Sequence, residues 1–376
     1  MVIMNNIFKI ICTHFIGASA APFTLHDNVS SLNLTRKILK SVFRNYNALK
    51  KVLNTKIKKG QPVLAFRGTS GIGDMLRLAA VIAAIKKENP DLIFDIYVGN
   101  ISKGEFAFAA LQKRYLLQEN LLYLTYRQYD AIINISDREP FILINKTPLT
   151  DKMQKVADEN KYLESIDTTK RAEKGLVCGE VISLTRGYDN KKQPLYCPIQ
   201  LEPQNFVEGK YITLHYGWDN DVKIKNHNKI WPFEYYQNFV KLFKKQYPDI
   251  QVVQLGLKRM PYIEGCIDLR SKTTMAQASS VLKNSLLHID CDCGFVHIAY
   301  NLGVKSLVLF GPSNADYVGY KQNINIVSPF CNNCWDLAET WAEICPKGYK
   351  TNKCMWAITP DMVLEKVKTV LGYKHE

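Results

Sequence analysis

The stretch of sequence that decides the fold reads IDCDCGFVH at residues 289–297, and LVLFGPSN follows at residues 307–314. The pattern predicts a strand, a sharp Asp/Gly turn, a helix that opens near His297, and a second apolar strand that ends in a Gly-Pro turn. A turn that presents backbone N–H groups at the start of a helix suits an anion such as a nucleotide pyrophosphate. Together with the glycine-rich turn GIGD at residues 71–74, it predicts two nucleotide-binding folds that face one cleft.

The composition is that of a globular protein that binds anions. The 376 residues suffice for two domains, each with its own core. The net charge of +14 favours nucleotide sugars, phosphorylated glycolipids, membrane surfaces or nucleic acid as partners, and charge alone does not choose among them. No apolar run approaches the roughly 20 residues that span a bilayer. No recognisable nucleic-acid module is present, so nucleic acid is not an expected partner.

The ten cysteines do not form the pattern of a small disulfide-rich domain, which favours a reducing compartment and a cytoplasmic protein. Cys12, Cys178, Cys197 and Cys266 are scattered, as buried thiols usually are. The first 20 residues faintly resemble a signal peptide, but Lys9 interrupts their apolar stretch. A cleaved signal is therefore the less favoured interpretation.

Residues 1–60 are predicted to be a basic, partly helical N-terminal extension. Apolar residues recur at near-helical spacing over residues 32–52, and Arg and Lys cover the remaining surface. The favoured interpretation is a helix packed on the main body. The alternative is peripheral docking at the inner face of a membrane.

From residue 61 onward, strands alternate with helices, which predicts an α/β protein with two parallel sheets covered on both faces. We expect an N-terminal Rossmann-like domain at 61–200, a C-terminal Rossmann-like domain at 205–358 and a C-terminal helix at 359–376, with a proline-containing link around 191–209. Strands are predicted at 62–66, 91–98, 129–135, 211–215, 251–255, 286–290 and 306–310, and helices at 75–85, 233–243, 275–282, 295–302 and 360–371.

Two such domains facing a cleft are the architecture of GT-B glycosyltransferases, and four motifs make the resemblance specific. They are GIGDML at 71–76, KIWP at 229–232, DCGFVHIA at 292–299 and LFGPS at 309–313. Their order and spacing resemble glycosyltransferase family 9, the heptosyltransferases of lipopolysaccharide synthesis, including the branch that modifies autotransporter proteins. The resemblance covers roughly residues 60–372, so the N-terminal extension lies outside it.

The resemblance implies roles for particular residues. Asp74 would be the general base that takes the proton of the acceptor hydroxyl, although a lone Asp at a helix start is more often an electrostatic N-terminal residue. The implied donor-binding residues are Gly73, Lys229, Asp292, Cys293, Gly294, His297 and Ser313. Lys229 would contact the donor phosphates, although it could be an ordinary solvated lysine, and His297 could equally be a core histidine. Cys293 departs from the Ser or Thr of the family, and a thiol is a poorer hydrogen-bond partner than a hydroxyl.

Two further features qualify the donor site. Asp290-Cys291-Asp292 spells the D-x-D of metal-dependent glycosyltransferases, but we interpret it as a coincidence and expect donor chemistry without a divalent metal. Lys258 and Arg259 follow the strand that holds base and ribose in the family, where an acidic ribose ligand is expected. The sequence therefore does not fix the nucleotide.

Four cysteines form a separate cluster, Cys331, Cys334, Cys345 and Cys354. A C-x-x-C pair with two further cysteines in a short loop can enclose a tetrahedral metal, while disulfides and free thiols are the alternatives. The autotransporter branch binds iron at such a loop, so the resemblance implies a structural iron or zinc.

The leading expectation is an inverting glycosyltransferase that moves heptose from ADP-heptose to a hydroxyl of lipopolysaccharide or another glycan. A protein acceptor is one alternative, and a non-catalytic module that binds a sugar nucleotide or glycan is the other. The expected partners are thus a nucleotide-sugar donor and a phosphorylated glycolipid or protein acceptor, and a homo-oligomer is compatible with the sequence.

Overall fold

The computed structural model describes residues 31–55, 63–68, 71–88, 90–135, 141–144, 196–217, 227–334, 337–338 and 340–372. The signal-like N-terminus, Cys12, Cys178 and the start of the predicted link lie outside these residues. The chain divides into two compact units: the described residues up to Cys197 belong to the first, and those from Pro198 onward to the second.

The first unit is built on a five-stranded sheet in the order β3-β2-β1-β4-β5, parallel except for β5, which runs antiparallel to β4. Its elements are α1 (Ser31–Asn54), β1 (Val63–Gly68), α2 (Ile72–Glu88), β2 (Ile93–Val98), α3 (Ile101–Ala107), β3 (Leu116–Gln118), α4 (Leu122–Thr125), β4 (Ala131–Ile135) and β5 (Phe141–Ile144).

Helix α1 packs against the sheet of the first unit. Its apolar residues Ile38, Val42, Leu49 and Val52 are buried in a cluster that includes Tyr126. The helix is kinked at Asn45, whose side-chain amide donates to the carbonyl of Ser41, four residues earlier. The apolar stripe of α1 is thus part of the core of this unit.

The second unit is built on a six-stranded, fully parallel sheet in the order β11-β10-β9-β6-β7-β8. Its elements are β6 (Tyr211–His215), α5 (Phe233–Gln246), β7 (Gln251–Leu255), β8 (Ile267–Asp268), α6 (Met275–Lys283), β9 (His288–Cys291), α7 (Gly294–Asn301), β10 (Ser306–Phe310), α8 (Ala315–Val318), β11 (Ile324–Val327), α9 (Lys353–Trp356) and α10 (Pro360–Leu371). This is the doubly wound Rossmann order, and it reverses between the adjacent strands β6 and β9.

The core of the second unit joins α5 and α10 to the sheet. Trp231, directly before α5, is fully buried, and its indole N–H donates to the carbonyl of Ile358 at 2.7 Å. Thr359 caps α10 by accepting from the N–H of Met362, and Pro360 occupies the first turn, where its missing N–H costs nothing. Trp231 therefore has a packing role within this core.

The two α/β units with parallel sheets and the closing helix agree with the predicted fold class. Two details differ. Helix α7 begins at Gly294, one residue before the predicted helix at 295–302, because Cys293 has the extended backbone of an N-cap. The first sheet is not wholly parallel, because the edge strand β5 runs back along β4. Within the described residues, no helix is long and apolar enough to cross a membrane.

Candidate functional site

The candidate site lies in the second unit, where the strand order of the sheet reverses. Parallel α/β sheets bind ligands outside the carboxyl ends of their strands at such a point. Here β6 ends at His215 and β9 ends at Cys291, and the loop from β9 into α7 carries Asp292 and Cys293. The sheet topology therefore makes this loop a candidate binding site.

An ion pair between Lys229 and Asp292 forms the first part of the site. Lys229 Nζ donates to Asp292 Oδ2 at 2.6 Å and also lies 3.3 Å from the carbonyl oxygen of Asp292. Burial by itself would raise the pKa of Asp292, but the charge and hydrogen bond of Lys229 outweigh burial and lower it to about 2. Asp292 is therefore ionised at any physiological pH.

The start of α7 forms the second part. Cys293 is its N-cap residue, yet the Cys293 side chain makes no capping hydrogen bond. The first N–H groups of a helix have no partner within the helix and carry partial positive charge. Because the N-cap side chain leaves them uncovered, this helix start is suited to an anionic group such as a phosphate.

The Cys293 thiol points instead to the buried carboxylate of Asp290 and donates to its Oδ2 at 2.7 Å. The same carboxylate accepts the N–H of Cys291 at 2.7 Å and lies 3.0 Å from His215 Nδ1 and 3.3 Å from His288 Nε2. Burial and the charge of Asp290 raise the pKa of Cys293, which keeps the thiol protonated. This hydrogen-bond network ties the loop after β9 to the end of β6.

The same network decides how the D-x-D sequence is interpreted. Burial would raise the pKa of Asp290, but His215 and His288 lower it, so the carboxylate is ionised and shared among protein donors. Asp290 is fully buried, while Asp292 pairs with Lys229. The two carboxylates thus hold different protein partners.

His297 and Ser313 border Asp292. His297 Nδ1 lies 2.7 Å from the hydroxyl of Tyr320, and the ring of Tyr320 stacks on Tyr300 with centroids 3.8 Å apart. Burial and Lys229 have the largest effects on the pKa of Asp292, and His297 and Ser313 make smaller contributions that lower it. The predicted donor-binding residues Lys229, Asp292, Cys293, Gly294, His297 and Ser313 therefore lie around one loop.

Lys229 is positioned by a segment that sequence reasoning missed. Its backbone N–H donates to His227 Nδ1 at 3.1 Å, and its Nζ lies 5.4 Å from the ring centroid of Trp341. Asn228 donates its side-chain amide to the carbonyl of Trp341 at 2.7 Å. Burial, and then the charge of Lys229, lower the pKa of His227 to about 3, so this imidazole is neutral.

Gly73 and Asp74 belong to the first unit. They occupy the first turn of α2, after β1, which lies between β2 and β4 where the strand order of that sheet reverses. Gly73 is buried and Asp74 is half-buried. An acidic side chain in a first helical turn is favoured by the helix dipole, and this position at a reversal of strand order also suits a ligand-binding residue.

The four-cysteine loop packs beside the Gly-Pro turn that follows β10. The N–H of Cys334 donates to the carbonyl of Pro312 at 3.0 Å, and Cys334 and Cys354 are buried. The pKa of Cys354 is raised to about 12, first by burial and then by the neighbouring Cys331 and Cys334. The pKa of Cys334 is also raised, first by burial and then by Cys345 and Cys331. The four thiols are therefore neighbours, and four thiolates suit zinc or iron.

The tightest set of metal-ligand atoms in the described residues is elsewhere. His215, Asp290 and Cys293 bring one ligand atom each within 4.8 Å of one another, whereas no three of the loop cysteines do so. The contacts of Asp290 with His215, Cys293 and the N–H of Cys291 already satisfy this set without an ion. A metal at the four-cysteine loop would instead draw its sulfurs to about 3.8 Å apart, as tetrahedral Zn–S bonds require.

Sequence reasoning found the loop residues through their motifs but missed His215, Asp290, His227 and Trp341. Two signals were present. His215 ends a correctly predicted strand, and Asp290 is a charged residue within an apolar strand, which must have partners when buried. His227 and Trp341 lie far apart in sequence and carried no such signal.

Known proteins are similar to this chain in sequence motif and in fold. Residues 223–340 match the model of glycosyltransferase family 9 (heptosyltransferase). No curated protein sequence matches the chain. Among solved structures, the iron-containing dodecameric glycosyltransferase TibC from enterotoxigenic E. coli H10407 is similar, with 12% identity, 82% of this chain and 76% of that chain covered, and a TM-score of 0.59.

Two further structures are similar. The complex of TibC with ADP-D-beta-D-heptose has 14% identity, covers 84% of this chain and 78% of that chain, and has a TM-score of 0.54. E. coli ADP-heptose lipopolysaccharide heptosyltransferase II has 16% identity, covers 82% of this chain and 98% of that chain, and has a TM-score of 0.53. The predicted family resemblance, the GT-B class of fold and the assignment as a glycosyltransferase are confirmed.

Proposed function

We propose that this chain, of which residues 223–340 match glycosyltransferase family 9 (heptosyltransferase), transfers heptose from ADP-heptose to a hydroxyl of a phosphorylated glycolipid, with inversion at the anomeric carbon. The observation that carries the proposal is the Lys229–Asp292 ion pair beside the uncovered start of α7, at the reversal of strand order in the second sheet. A cation and a helix start can bind the diphosphate of a nucleotide sugar, and a carboxylate can bind the hydroxyls of the sugar.

Each group has a distinct role in this proposal. Lys229 and the first N–H groups of α7, at Gly294, bind the donor diphosphate and stabilise the negative charge that grows on it as the bond to the sugar breaks. Asp292 is ionised and accepts hydrogen bonds from sugar hydroxyls. His297 and Ser313 border Asp292 and complete the donor site. The leaving charge is met by protein groups, so we expect no requirement for a divalent metal.

The acceptor is activated by Asp74 of the first unit. The hydroxyl of the acceptor must lose a proton as its oxygen attacks the anomeric carbon, and the carboxylate of Asp74 accepts that proton. Gly73, beside Asp74 in the first turn of α2, contributes backbone rather than a side chain to the donor. The new C–O bond forms as the bond to the nucleotide diphosphate breaks, which inverts the anomeric centre.

A protein acceptor is the alternative within the same fold. It is favoured by the four-cysteine loop, which the resemblance shares with the autotransporter branch. We further propose that Cys331, Cys334, Cys345 and Cys354 hold a structural iron or zinc there, in support of which TibC is described as iron-containing. Four sulfur ligands leave no open position, so the role of this metal is to stabilise the loop. A homo-oligomer is part of the proposal because TibC is described as dodecameric.

The test is a transfer assay followed by mass spectrometry. The protein is given ADP-heptose and a heptose-free lipopolysaccharide in EDTA, and wild type is compared with Asp74→Asn. We expect a heptose mass increment with wild type only, while Asp74→Asn still binds the donor. Product on a protein acceptor but not on the glycolipid would select the alternative. Donor binding without transfer to either acceptor would indicate a non-catalytic module.

A further inference from the structure

Helix α1 presents a strongly basic surface on the side that faces away from the core. Six exposed side chains define this basic face: Arg36, Lys37, Lys40, Arg44, Lys50 and Lys51. The apolar stripe of the same helix is buried in the first unit. The basic face therefore does not result from a missing packing partner, because the helix already has one.

The positive charge of this face is not compensated by the residues that the structure describes. Residues 31–54 contain no Asp or Glu. None of the six side chains forms an ion pair with another residue of the described ranges. Glu119, in the turn that contacts α1, pairs with Arg67 at 2.9 Å instead. Six uncompensated cations on one helix form a local field that favours an extended anionic surface.

An apolar side chain stands among these cations. Phe43 is 57% exposed, although its neighbour Val42 is fully buried. It lies between Lys40 and Arg44 in sequence, and Lys40, three residues earlier, is also its neighbour around the helix. Cations around an exposed aromatic ring are the composition of a helix that lies in the interface of an anionic bilayer.

We propose that the basic face of α1 docks this protein on an anionic lipid surface, with Phe43 inserted at the level of the headgroups. The choice of a membrane over nucleic acid rests on the proposed function, because a glycolipid acceptor is itself held in a membrane. Docking places the enzyme where that acceptor is concentrated. It uses the face of α1 that the core leaves exposed, so it requires no rearrangement of the first unit.

The test is co-sedimentation of the full chain with vesicles that contain no acceptor. One set is phosphatidylcholine alone, and the other is an equal mixture of phosphatidylcholine and phosphatidylglycerol. We expect binding to the second set only, and release at about 1 M salt, where the screening length falls to about 3 Å. The triple variant Lys37→Glu/Lys40→Glu/Arg44→Glu should bind about a hundredfold more weakly, because it removes the binding free energy of three basic residues near an anionic surface.

A matched control changes the same charge elsewhere. Lys241, Lys245 and Lys366 are exposed on the second unit, and Lys241→Glu/Lys245→Glu/Lys366→Glu should bind vesicles like wild type. Phe43→Ser should weaken binding at every salt concentration, because it removes an apolar contact that salt does not screen. All variants should keep ADP-heptose binding, so a failure of docking is distinguishable from a failure of the proposed function.

Three outcomes would overturn the proposal. The first is equal binding to both vesicle sets, and the second is an equal loss of binding in the two triple variants. The third is a competition result: single-stranded RNA displaces the protein from anionic vesicles, but anionic vesicles do not displace it from RNA. The last outcome would assign the basic face to nucleic acid instead.

Discussion

Asp290 is the residue on which the shape of the candidate site depends. Its buried carboxylate holds the Cys293 thiol, His215 and His288 at once. Replacing Asp290 with Asn removes the charge that these contacts share and leaves polar partners unsatisfied. We expect the free energy of unfolding to fall by about 2–4 kcal/mol, measured by urea denaturation.

Two variants bracket this prediction. Cys293→Ser should be nearly neutral, because a hydroxyl can donate to Asp290 as the thiol does. Asp268→Asn should cost under about 1 kcal/mol, because the Asp268–Arg270 pair lies nearer the surface. Equal losses for Asp290→Asn and Asp268→Asn would show that the buried network does not organise the loop.

His227 makes stability depend on pH. Its pKa falls from 6.5 to about 3 on folding, so the unfolded chain binds the proton more tightly. The free energy of unfolding is therefore highest above about pH 6.5 and falls as the pH falls toward 3. At pH 5, the loss due to His227 is about 2 kcal/mol. His227→Asn removes this titration while keeping an acceptor for the N–H of Lys229.

The measurement is the free energy of unfolding at pH 7.5 and pH 5 for both proteins. The wild type should lose about 2 kcal/mol more than His227→Asn between these values. Every other titratable group is common to both proteins, so its contribution cancels in the difference. Identical pH dependence in the two proteins would mean that His227 is not buried beside Lys229 as described.

At the scale of elements, the turn after β10 must approach the four-cysteine loop closely. A Cβ on Gly311 would lie 2.5 Å from Met355 Sδ and 2.9 Å from Cys354 Sγ. Met355 is fully buried, so it has little room to move. Gly311→Ala should therefore lower the free energy of unfolding by about 1–3 kcal/mol. Gly68→Ala is the control, since its nearest neighbour would be at 3.4 Å, and it should change stability little.

The four-cysteine loop should also respond to metal removal. If it holds iron or zinc, strong chelation or Cys345→Ser should lower the melting temperature and expose Cys354 to a thiol reagent. Metal analysis of the purified protein gives the stoichiometry. Full thiol reactivity of untreated wild type, with no bound metal, would contradict the proposal and assign the loop as free thiols.

The elements also show what a sequence can reveal. The strands Tyr211–His215, Gln251–Leu255 and Ser306–Phe310 were predicted to the residue, because each is an apolar run bounded by turns. Helix α3 and the edge strands β3, β5, β8 and β11 were not predicted. Strands of two to four residues are too short to show a period, and their pairing depends on neighbours distant in sequence.

At the scale of the whole molecule, motif order was enough to predict two α/β units and the loop that forms the candidate site. It could not predict what holds that loop in place. The sequence pattern treats Asp290-Cys291-Asp292 as a coincidental match, because the partnership of Asp290 with His215 joins two strands, β9 and β6, that only folding brings together. The net charge of +14 favoured anionic partners, but only the fold separates the basic face of α1 from the donor-site cation Lys229.

The central claim is that the second unit binds a nucleotide diphosphate sugar through Lys229 and the start of α7. Calorimetric titration with ADP-heptose, ADP, UDP-glucose and GDP-mannose, without divalent metal, tests it most directly. We expect selective binding of ADP-heptose and ADP by wild type, at least about tenfold weaker binding by Lys229→Met, and unchanged binding by the exposed-lysine control Lys241→Met. A preference for the UDP or GDP sugar would overturn the donor. Binding by no ligand, or equal binding by Lys229→Met, would contradict the site itself.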